Sequence, residues 1–171
     1  KAIAVDTVAP TAPTMADATA DNVINSAEQT STLSGTAEAN ASISLTIGGL
    51  TKALTADANG AWTYDLTAAD VTAMGEGAED ITITATDAAG NTSTTTTKAI
   101  AVDTVAPTAP TMADATADNV INSAEQTSTL SGTAEAGSSV SLSLGGLIKS
   151  LTADANGAWT YDLTAADVTA M

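Results

Sequence analysis

The chain has 171 residues and a formal net charge of −16, from 20 acidic residues against four basic ones, all of them lysine. The absence of histidine and cysteine excludes catalytic triads, thiolate nucleophiles and imidazole or thiolate zinc sites, and the absence of arginine excludes a bidentate phosphate clamp. The excess of acids argues against nucleic acid and anionic membranes as partners, because both are bound through basic side chains.

Short runs rich in threonine, valine and isoleucine alternate along the chain between turn residues, which is typical of β-strands. A proline-rich segment over 6–13 precedes them and is interpreted as a linker and first sheet edge. Strands are predicted at 30–35, 41–47, 52–56, 61–66, 80–86 and 92–102. About seven short strands in about 100 residues predict an all-β, immunoglobulin-like β-sandwich.

Three turns and one helix complete this prediction. Gly48-Gly49 predicts a hairpin turn, Asn59-Gly60 predicts a type I′ turn, and 87–91 predicts a turn around Gly90. Thr67 and Asp70 have the spacing of a capping box, so a short helix is expected over 67–74. One tryptophan per module, Trp62 and Trp159, is the expected core anchor.

The chain repeats itself. Residues 98–171 copy residues 1–74 with a period of 97 and seven differences, all confined to 40–53 and 137–150. A period of this length suits whole domains arranged as beads. We therefore expect tandem immunoglobulin-like modules. The predicted divisions are 1–6 as the tail of a preceding repeat and linker, 7–103 as a complete module with its linker, and 104–171 as a second module that lacks its C-terminal strands.

The chain shows neither a signal peptide nor a run of about 20 apolar residues, so we expect a segment of a longer protein without membrane insertion. Its hydrophobic residues, 44% of the total, are in the majority alanine, and no disulfide is possible. A thin core combined with strong self-repulsion favours stabilisation by a bound cation.

One acidic segment has the ligand spacing of an EF-hand calcium loop. Positions 1, 3, 5, 7, 9 and 12 of that loop are Asp17, Thr19, Asp21, Val23 (through its carbonyl), Asn25 and Glu28. The second copy carries Asp114, Thr116, Asp118, Val120, Asn122 and Glu125 at the same positions. Position 6 is Asn22, which tolerates a left-handed backbone. Calcium is predicted here; the alternative is a polar surface loop whose acids are merely solvated.

Linker acids form a second candidate set. In a sandwich, the 87–91 turn is expected at the end where the chain enters, near Asp6, and the 17–28 loop at the opposite end, near Asp103. Asp6 with Asp87, and Asp103 with Asp21 or Glu28, are therefore predicted to share calcium. The alternative is that Asp6 and Asp103 are simple turn or cap residues.

Two further features have simpler interpretations. The threonine-rich run 91–97 has the composition of an ice- or sugar-binding face, but a strand with a polar outer side is the commoner identity. Asp65 and Asp70 are paired carboxylates of the kind that glycosidases use, but a surface acid and a helix cap fit them better.

Four motifs together resemble a known family. Residues 5–10 (VDTVAP), 33–38 (LSGTAE), 55–62 (TADANGAW) and 84–92 (TATDAAGNT) are similar to the bacterial Ig-like repeats of giant secreted adhesins of the RTX and Bap biofilm types, including the extender regions of ice-binding adhesins. The resemblance implies a β-sandwich bead in an extracellular stalk, exported by type I secretion and made rigid by calcium at its linkers. Asp6, Asp87 and Asp103 would match the family's acidic linker and turn positions, and residues 17–28 its acidic loop.

The predicted function is a non-enzymatic spacer at the bacterial cell surface, whose partners are neighbouring modules of the same chain. One alternative is a module that binds sugar, ice or a host surface, which requires exposed aromatic residues or a flat polar face. Another is self-association, in which a segment such as 1–5 of a second chain fills unpaired strand edges of the second copy. An enzyme is not expected, because no nucleophile is paired with a base.

Overall fold

The computed structural model describes residues 3–171 and divides the chain into two compact units, Lys1–Val105 and Ala106–Met171. We refer to these as unit 1 and unit 2. Each unit is built of β-strands with one short helix. This confirms the predicted all-β, immunoglobulin-like class. The boundary between these compact units falls at 105/106, and the division into modules at 103/104 stays a prediction.

The described residues of unit 1, 3–105, contain seven strands and one helix. They are β1 (Val23–Asn25), β2 (Thr32–Thr36), β3 (Ser42–Ile47), β4 (Leu50–Thr55), β5 (Ala61–Asp65), α1 (Ala68–Met74), β6 (Gly77–Thr86) and β7 (Thr96–Asp103). All six predicted strands and the helix are present. The additional strand, β1, lies inside the segment that was predicted to be a calcium loop.

Two sheets form the sandwich of unit 1. The larger sheet has the order β1-β7-β6-β3-β4, and the smaller sheet pairs β2 with β5. Residues 14–16 extend the smaller sheet, because the Thr14 and Ala16 N–H groups donate to the Thr36 and Ser34 carbonyls at 2.7 and 2.9 Å. The core lies between the sheets, where alternate residues of β3 and β6 point inward.

The core is aliphatic around a single tryptophan. Its fully buried members include Ile24, Leu33, Ile43, Leu45, Ile47, Ile81 and Ile83. Trp62 is buried among them and donates its indole N–H to the Thr14 carbonyl at 3.2 Å. Trp159 is likewise buried in unit 2, so the prediction that the tryptophans anchor the cores is confirmed.

Helix α1 begins with the predicted capping box. Thr67 Oγ1 accepts from the Asp70 N–H at 3.2 Å, and the Asp70 carboxylate accepts from the Thr67 N–H at 3.0 Å. Aspartate therefore replaces the usual glutamate of this motif. The box ties the helix to β5, which ends two residues before Thr67.

Replacing Thr67 with alanine should lower the free energy of unfolding of unit 1 by about 1 kcal/mol, because the first helical turn loses its capping hydroxyl. Urea unfolding measures this change. Thr72→Ala in the same helix is the control, since Thr72 is exposed and bonds only to the Ala68 carbonyl; its effect should stay within about 0.5 kcal/mol. Equal effects of the two substitutions would contradict a special role for the cap.

One predicted turn has a different form. Gly48-Gly49 does join two hydrogen-bonded strands, β3 and β4. Asn59-Gly60, however, connects β4 in the larger sheet to β5 in the smaller one, so it is not a hairpin. Only Gly60 has a positive φ, of 83°, whereas a type I′ turn requires two such residues. The Asp57 carboxylate instead accepts from the Asn59 and Ala61 N–H groups, each at 2.8 Å, and closes the turn.

Unit 2 repeats the first part of unit 1. It contains β8 (Thr129–Thr133), β9 (Ser139–Leu144), β10 (Leu147–Thr152), β11 (Ala158–Asp162) and α2 (Ala165–Ala170). β9 pairs with β10, and β8 pairs with β11. One of the seven sequence differences keeps the backbone conformation: Asn40 has φ 61°, and its counterpart Gly137 has φ 76°.

Candidate functional site

The acidic segment 17–28 lies along strand β7. In its centre, β1 pairs in parallel with β7, with Val23 opposite Ala101 and Asn25 opposite Asp103. The sequence did not predict this pairing. It separates the two halves of the segment, which bond to different partners.

The first half of the segment is held by internal contacts. Asp17 forms an ion pair with Lys98 and accepts from the Asn22 amide at 3.0 Å. These contacts, above all the one from Lys98, hold the pKa of Asp17 below its usual range. Asp21 Oδ1 accepts from the Val23 N–H at 3.0 Å, which lowers the pKa of Asp21, and it lies 3.0 Å from the Thr19 hydroxyl.

The Thr19 hydroxyl also lies 2.9 Å from the Val23 carbonyl, within hydrogen-bond distance. Asn22 has φ 59°, which confirms the left-handed backbone expected at this position. Asp21, Thr19 and Val23 thus form a compact turn that leads into β1.

The second half of the segment forms a separate turn. The Glu28 carboxylate accepts from the Asn25 N–H at 3.2 Å, and the Asn25 side-chain oxygen accepts from the Ala27 N–H at 2.9 Å. Asn25 is also the partner of Asp103 across the two strands. The structure therefore brings Asn25, Glu28 and Asp103 to one end of unit 1.

Within residues 3–171, no three acidic side chains converge closely enough to hold a metal ion. Asp17 and Glu28, the first and last residues of the predicted loop, contact different groups. The twelve-residue spacing thus coincides with a turn, a strand and a second turn. The carboxylate and carbonyl oxygens of each turn are partly used by internal hydrogen bonds.

The second copy repeats these local bonds. Thr116 lies 3.0 Å from both Asp118 Oδ1 and the Val120 carbonyl, and Glu125 accepts from the Asn122 N–H at 3.1 Å. A hydrogen bond from the Val120 N–H lowers the pKa of Asp118. Asp114 is exposed. The local turns therefore form from their own sequence, without a paired β7.

Asp6 and Asp87 lie near each other at the other end of unit 1. Asp87 accepts from the Asn91 side chain and backbone, each at 2.8 Å, and the side-chain bond holds its pKa below the usual value. The same Asn91 amide donates to the Asp6 carbonyl at 3.3 Å, and Asp6 Oδ1 accepts from the Val8 N–H at 3.1 Å. Each of the two carboxylates accepts from backbone N–H groups of its own turn, and Asn91 links the two residues.

Glu76 is a contact residue that the sequence did not point to. Its carboxylate accepts from the Thr104 N–H at 2.9 Å and from the Thr104 hydroxyl, and the hydroxyl contact contributes most to its lowered pKa. Glu76 follows helix α1, so this contact fastens the C-terminal end of β7 to the helix end.

A buried ionic network was also missed. Asp70 has no exposed surface, and its Oδ1 lies 2.7 Å from Lys52 Nζ. Its other oxygen accepts from the Tyr64 hydroxyl and the Thr67 hydroxyl, both at 2.7 Å. Burial alone would raise the pKa of Asp70, but the bonds from Lys52, Thr67 and Tyr64 outweigh burial and lower it. The hydrogen bond between Lys52 and Asp70 in turn raises the pKa of Lys52.

Unit 2 has the equivalent network, in which Lys149 Nζ lies 2.9 Å from Asp167 and the Tyr161 hydroxyl 2.8 Å from the same carboxylate. All three lysines of the described part of the chain are therefore paired with aspartates, since Lys98 pairs with Asp17. This network makes Asp70 and Asp167 structural acids.

The fold and the repeat define immunoglobulin-like β-sandwich modules of a tandem array. A family model for the bacterial Ig-like domain matches residues 4–104, and the chain belongs to that family. A comparison with curated proteins finds no significant match.

Two solved structures of bacterial adhesins are similar to this chain. A Ca²⁺-stabilized adhesin that helps an Antarctic bacterium reach out and bind ice is 36% identical, with a TM-score of 0.52; the match covers 95% of this chain and 42% of that one. A 1.5-MDa bacterial ice-binding adhesin, studied for host cell surface retention, is 31% identical, with a TM-score of 0.53 and coverage of 95% and 56%. The chain thus spans about half the length of these two structures.

These relatives are adhesins, and their resemblance to this chain is the one expected from its motifs. Among residues 3–171, no helix combines the length and apolar character that crossing a bilayer requires.

Proposed function

We propose that the chain is a non-enzymatic extender of a secreted adhesin, which holds a terminal binding domain away from the bacterial cell. The observation that carries this proposal is the bacterial Ig-like module matched at residues 4–104, together with the repetition of residues 1–74 in residues 98–171 with seven differences. Near-identical copies suit a spacer better than a recognition surface. The burial of Trp62 and Trp159 also removes two of the chain's four aromatic side chains from any sugar-binding face.

The proposed location is extracellular, on the bacterial surface or in a biofilm, after type I secretion. The proposed partners are neighbouring modules of the same chain. A net charge of −16 without cysteine suits such a location, because it keeps a long repetitive chain soluble.

Calcium is proposed to stiffen and stabilise the modules. At the C-terminal end of unit 1, Asn25 and Asp103 lie side by side across β1 and β7, with Glu28 bonded to Asn25. Their donor atoms are all oxygen, which is what calcium prefers. Asn25, Glu28 and Asp103 are therefore the residues that would hold the ion at this end, with water completing the shell.

Asp6 and Asp87 are the proposed ligands at the N-terminal end, where Asn91 bonds to both residues. Asp17, Thr19, Asp21 and Val23 remain predicted ligands, and so do the six counterparts in unit 2. An ion there would have to compete with Lys98 for Asp17.

Calcium at 10 mM is expected to stabilise the chain by about 2.7 kcal/mol if the dissociation constant is about 10⁻⁴ M, a value typical of extracellular modules. Thermal melting with calcium and with chelator measures this shift. Small-angle scattering should show a longer, stiffer particle with calcium.

A pair of variants locates the effect. Asp103→Asn should remove part of the calcium-dependent rise in melting temperature, while Glu38→Gln, which removes one charge from another exposed acid, should leave it intact. If melting temperature and particle length are the same with calcium and with chelator, the proposed stiffening by calcium is wrong.

A further inference from the structure

Each unit contains one asparagine that is followed by glycine, and both pairs lie in the same turn of the fold. Asn59-Gly60 connects β4 to β5, and Asn156-Gly157 connects β10 to β11. The sequence contains no other asparagine-glycine pair. Such pairs are prone to deamidation, because glycine has no side chain to hinder the attack of its backbone nitrogen on the asparagine side-chain carbonyl.

The reaction has two steps and consumes only water. In the first step the Gly60 backbone nitrogen forms a bond to Asn59 Cγ, the bond from Cγ to Nδ2 breaks, and the amide group leaves as ammonia with the Gly60 N–H proton. In the second step water opens the resulting five-membered succinimide at one of its two carbonyls. The product at position 59 is aspartate or isoaspartate. Each adds one negative charge, and isoaspartate also adds a methylene group to the main chain.

The folded turn opposes the first step. The Gly60 N–H donates to the Asp57 carbonyl at 3.0 Å, and the Gly60 carbonyl accepts from the Ala37 N–H at 2.8 Å. A methyl group at Gly60 would lie 2.4 Å from the Ala37 carbonyl oxygen, so the glycine is packed closely against this residue. Gly60 is buried and Asn59 is exposed. The Gly60 nitrogen therefore reaches the Asn59 side chain only when the turn opens locally.

The Asp57 carboxylate holds this turn closed. Its Oδ1 accepts from the Ala61 and Asn59 N–H groups, each at 2.8 Å, and these bonds hold the pKa of Asp57 below its usual range. Asp57 is therefore ionised at neutral and alkaline pH, where deamidation takes place. Its negative charge also disfavours the attack directly, because the attack builds negative charge on the Gly60 nitrogen and then on the Asn59 side-chain oxygen.

Unit 2 has the same contacts. The Asp154 carboxylate accepts from the Asn156 and Ala158 N–H groups at 2.8 and 2.9 Å. The Gly157 N–H donates to the Asp154 carbonyl at 2.9 Å, and a methyl group at Gly157 would lie 2.4 Å from the Ala134 carbonyl oxygen. One chain therefore carries two matched copies of the turn.

We propose that Asn59 and its counterpart Asn156 are sites of deamidation through a succinimide, and that the aspartate two residues earlier suppresses this reaction in the folded module. The aspartate is a positioning residue, since it acts by holding the glycine nitrogen away from the asparagine side chain. The proposal goes beyond the spacer role, because it assigns a site of chemical modification and the residue that controls its rate.

The test incubates the 171-residue chain at mildly alkaline pH and follows deamidation by mass spectrometry of tryptic peptides. Cleavage after Lys52, Lys98 and Lys149 separates the two sites, since Asn59 lies in peptide 53–98 and Asn156 in peptide 150–171. Fragment spectra assign the change in mass to one residue. We expect both sites to react at least about 10-fold more slowly in the folded chain than in urea, because attack requires local opening of the turn.

Asp57→Ala should raise the rate at Asn59 at least about 5-fold, because the turn then opens more often. Asn156 in the same chain keeps its own aspartate, so its rate should stay unchanged and serves as the internal control. Asp154→Ala should give the reverse pattern. Asp57→Ser keeps an oxygen acceptor without the charge and should give an intermediate rate. This variant decides the test if amide exchange shows that β3 is unfolded in Asp57→Ala.

Either of two results would overturn the proposal. One is the same rate of deamidation at Asn59 in the folded chain and in urea, which would show that the folded turn does not restrain the reaction. The other is the same rate at Asn59 and Asn156 in a folded Asp57 variant, which would show that the carboxylate does not control it.

Discussion

Replacing Asp70 with alanine should lower the free energy of unfolding of unit 1 by about 3 kcal/mol, because it removes one partner of a buried ion pair. The substitution leaves Lys52 without its carboxylate and also removes the acceptor for Tyr64 and for the helix cap. Lys52 is 27% exposed, so water recovers part of its hydration and the cost stays at the lower end for such pairs. Denaturant unfolding followed by Trp62 fluorescence in a Trp159→Phe background measures unit 1 alone.

The control is Asp80→Ala, which removes an exposed acid from β6 and should change stability by less than about 0.5 kcal/mol. If the two aspartate variants unfold at the same denaturant concentration, the Asp70 network does not stabilise the unit.

The Asp70 network also makes the free energy of unfolding depend on pH in a defined direction. The pKa of Asp70 is lower in the folded state than in the unfolded chain, so its contribution is fully present above the unfolded value of about 3.9. It is lost as the pH falls further, towards the folded pKa. The stability difference between the wild type and Asp70→Asn should therefore be constant from pH 7 to about pH 5 and shrink below about pH 4. A difference that grows on acidification would contradict this assignment.

Gly35→Ala should destabilise unit 1 by about 3 kcal/mol, at the upper end for an overpacked site. A methyl group at Gly35 would lie 2.0 Å from the Thr14 carbonyl oxygen and 2.8 Å from the Trp62 ring. The nearest atom belongs to the backbone, and it also accepts the Trp62 indole N–H, so it cannot move without breaking that bond.

Two further variants serve as a control and as the equivalent change in unit 2. The stability of each is measured by denaturant unfolding. Ser34→Ala, in the same strand, keeps the backbone and should be nearly neutral. Gly132→Ala places its methyl group 2.0 Å from the Thr111 carbonyl and should have the same effect on unit 2 alone. Wild-type stability of Gly35→Ala would show that residues 14–16 do not pack tightly against β2.

Features that depend on neighbouring residues in sequence were predicted well. The helix follows from the local bond between Thr67 and Asp70, and the β3–β4 hairpin follows from Gly48-Gly49, which reverses the chain between adjacent strands. The strands at 41–47 and 80–86 were predicted from alternation for the same reason, since a strand by itself sets which face each side chain takes, and their isoleucines lie in the core.

Features that depend on distant partners were not predicted. β1 is only three residues long, and its partner β7 lies more than 70 residues further on. The segment 17–28 was therefore interpreted from the spacing of its acidic residues alone, as a calcium loop. Asn59-Gly60 was predicted to form a type I′ turn because local sequence does not reveal that β5 pairs with β2 in the other sheet. Lys52 and Asp70 meet only once β4 and α1 have packed, so Asp70 was interpreted as a simple cap.

The parallel pairing of β1 with β7 has a mechanical consequence for the proposed extender. β1 is the first strand of unit 1 and β7 the last, and they run in the same direction at one edge of the larger sheet. In the proposed extender, tension on the two termini would therefore load these strands in shear, so that their hydrogen bonds would rupture together instead of one at a time. The short strand within the acidic segment would then be the shear clamp of the module.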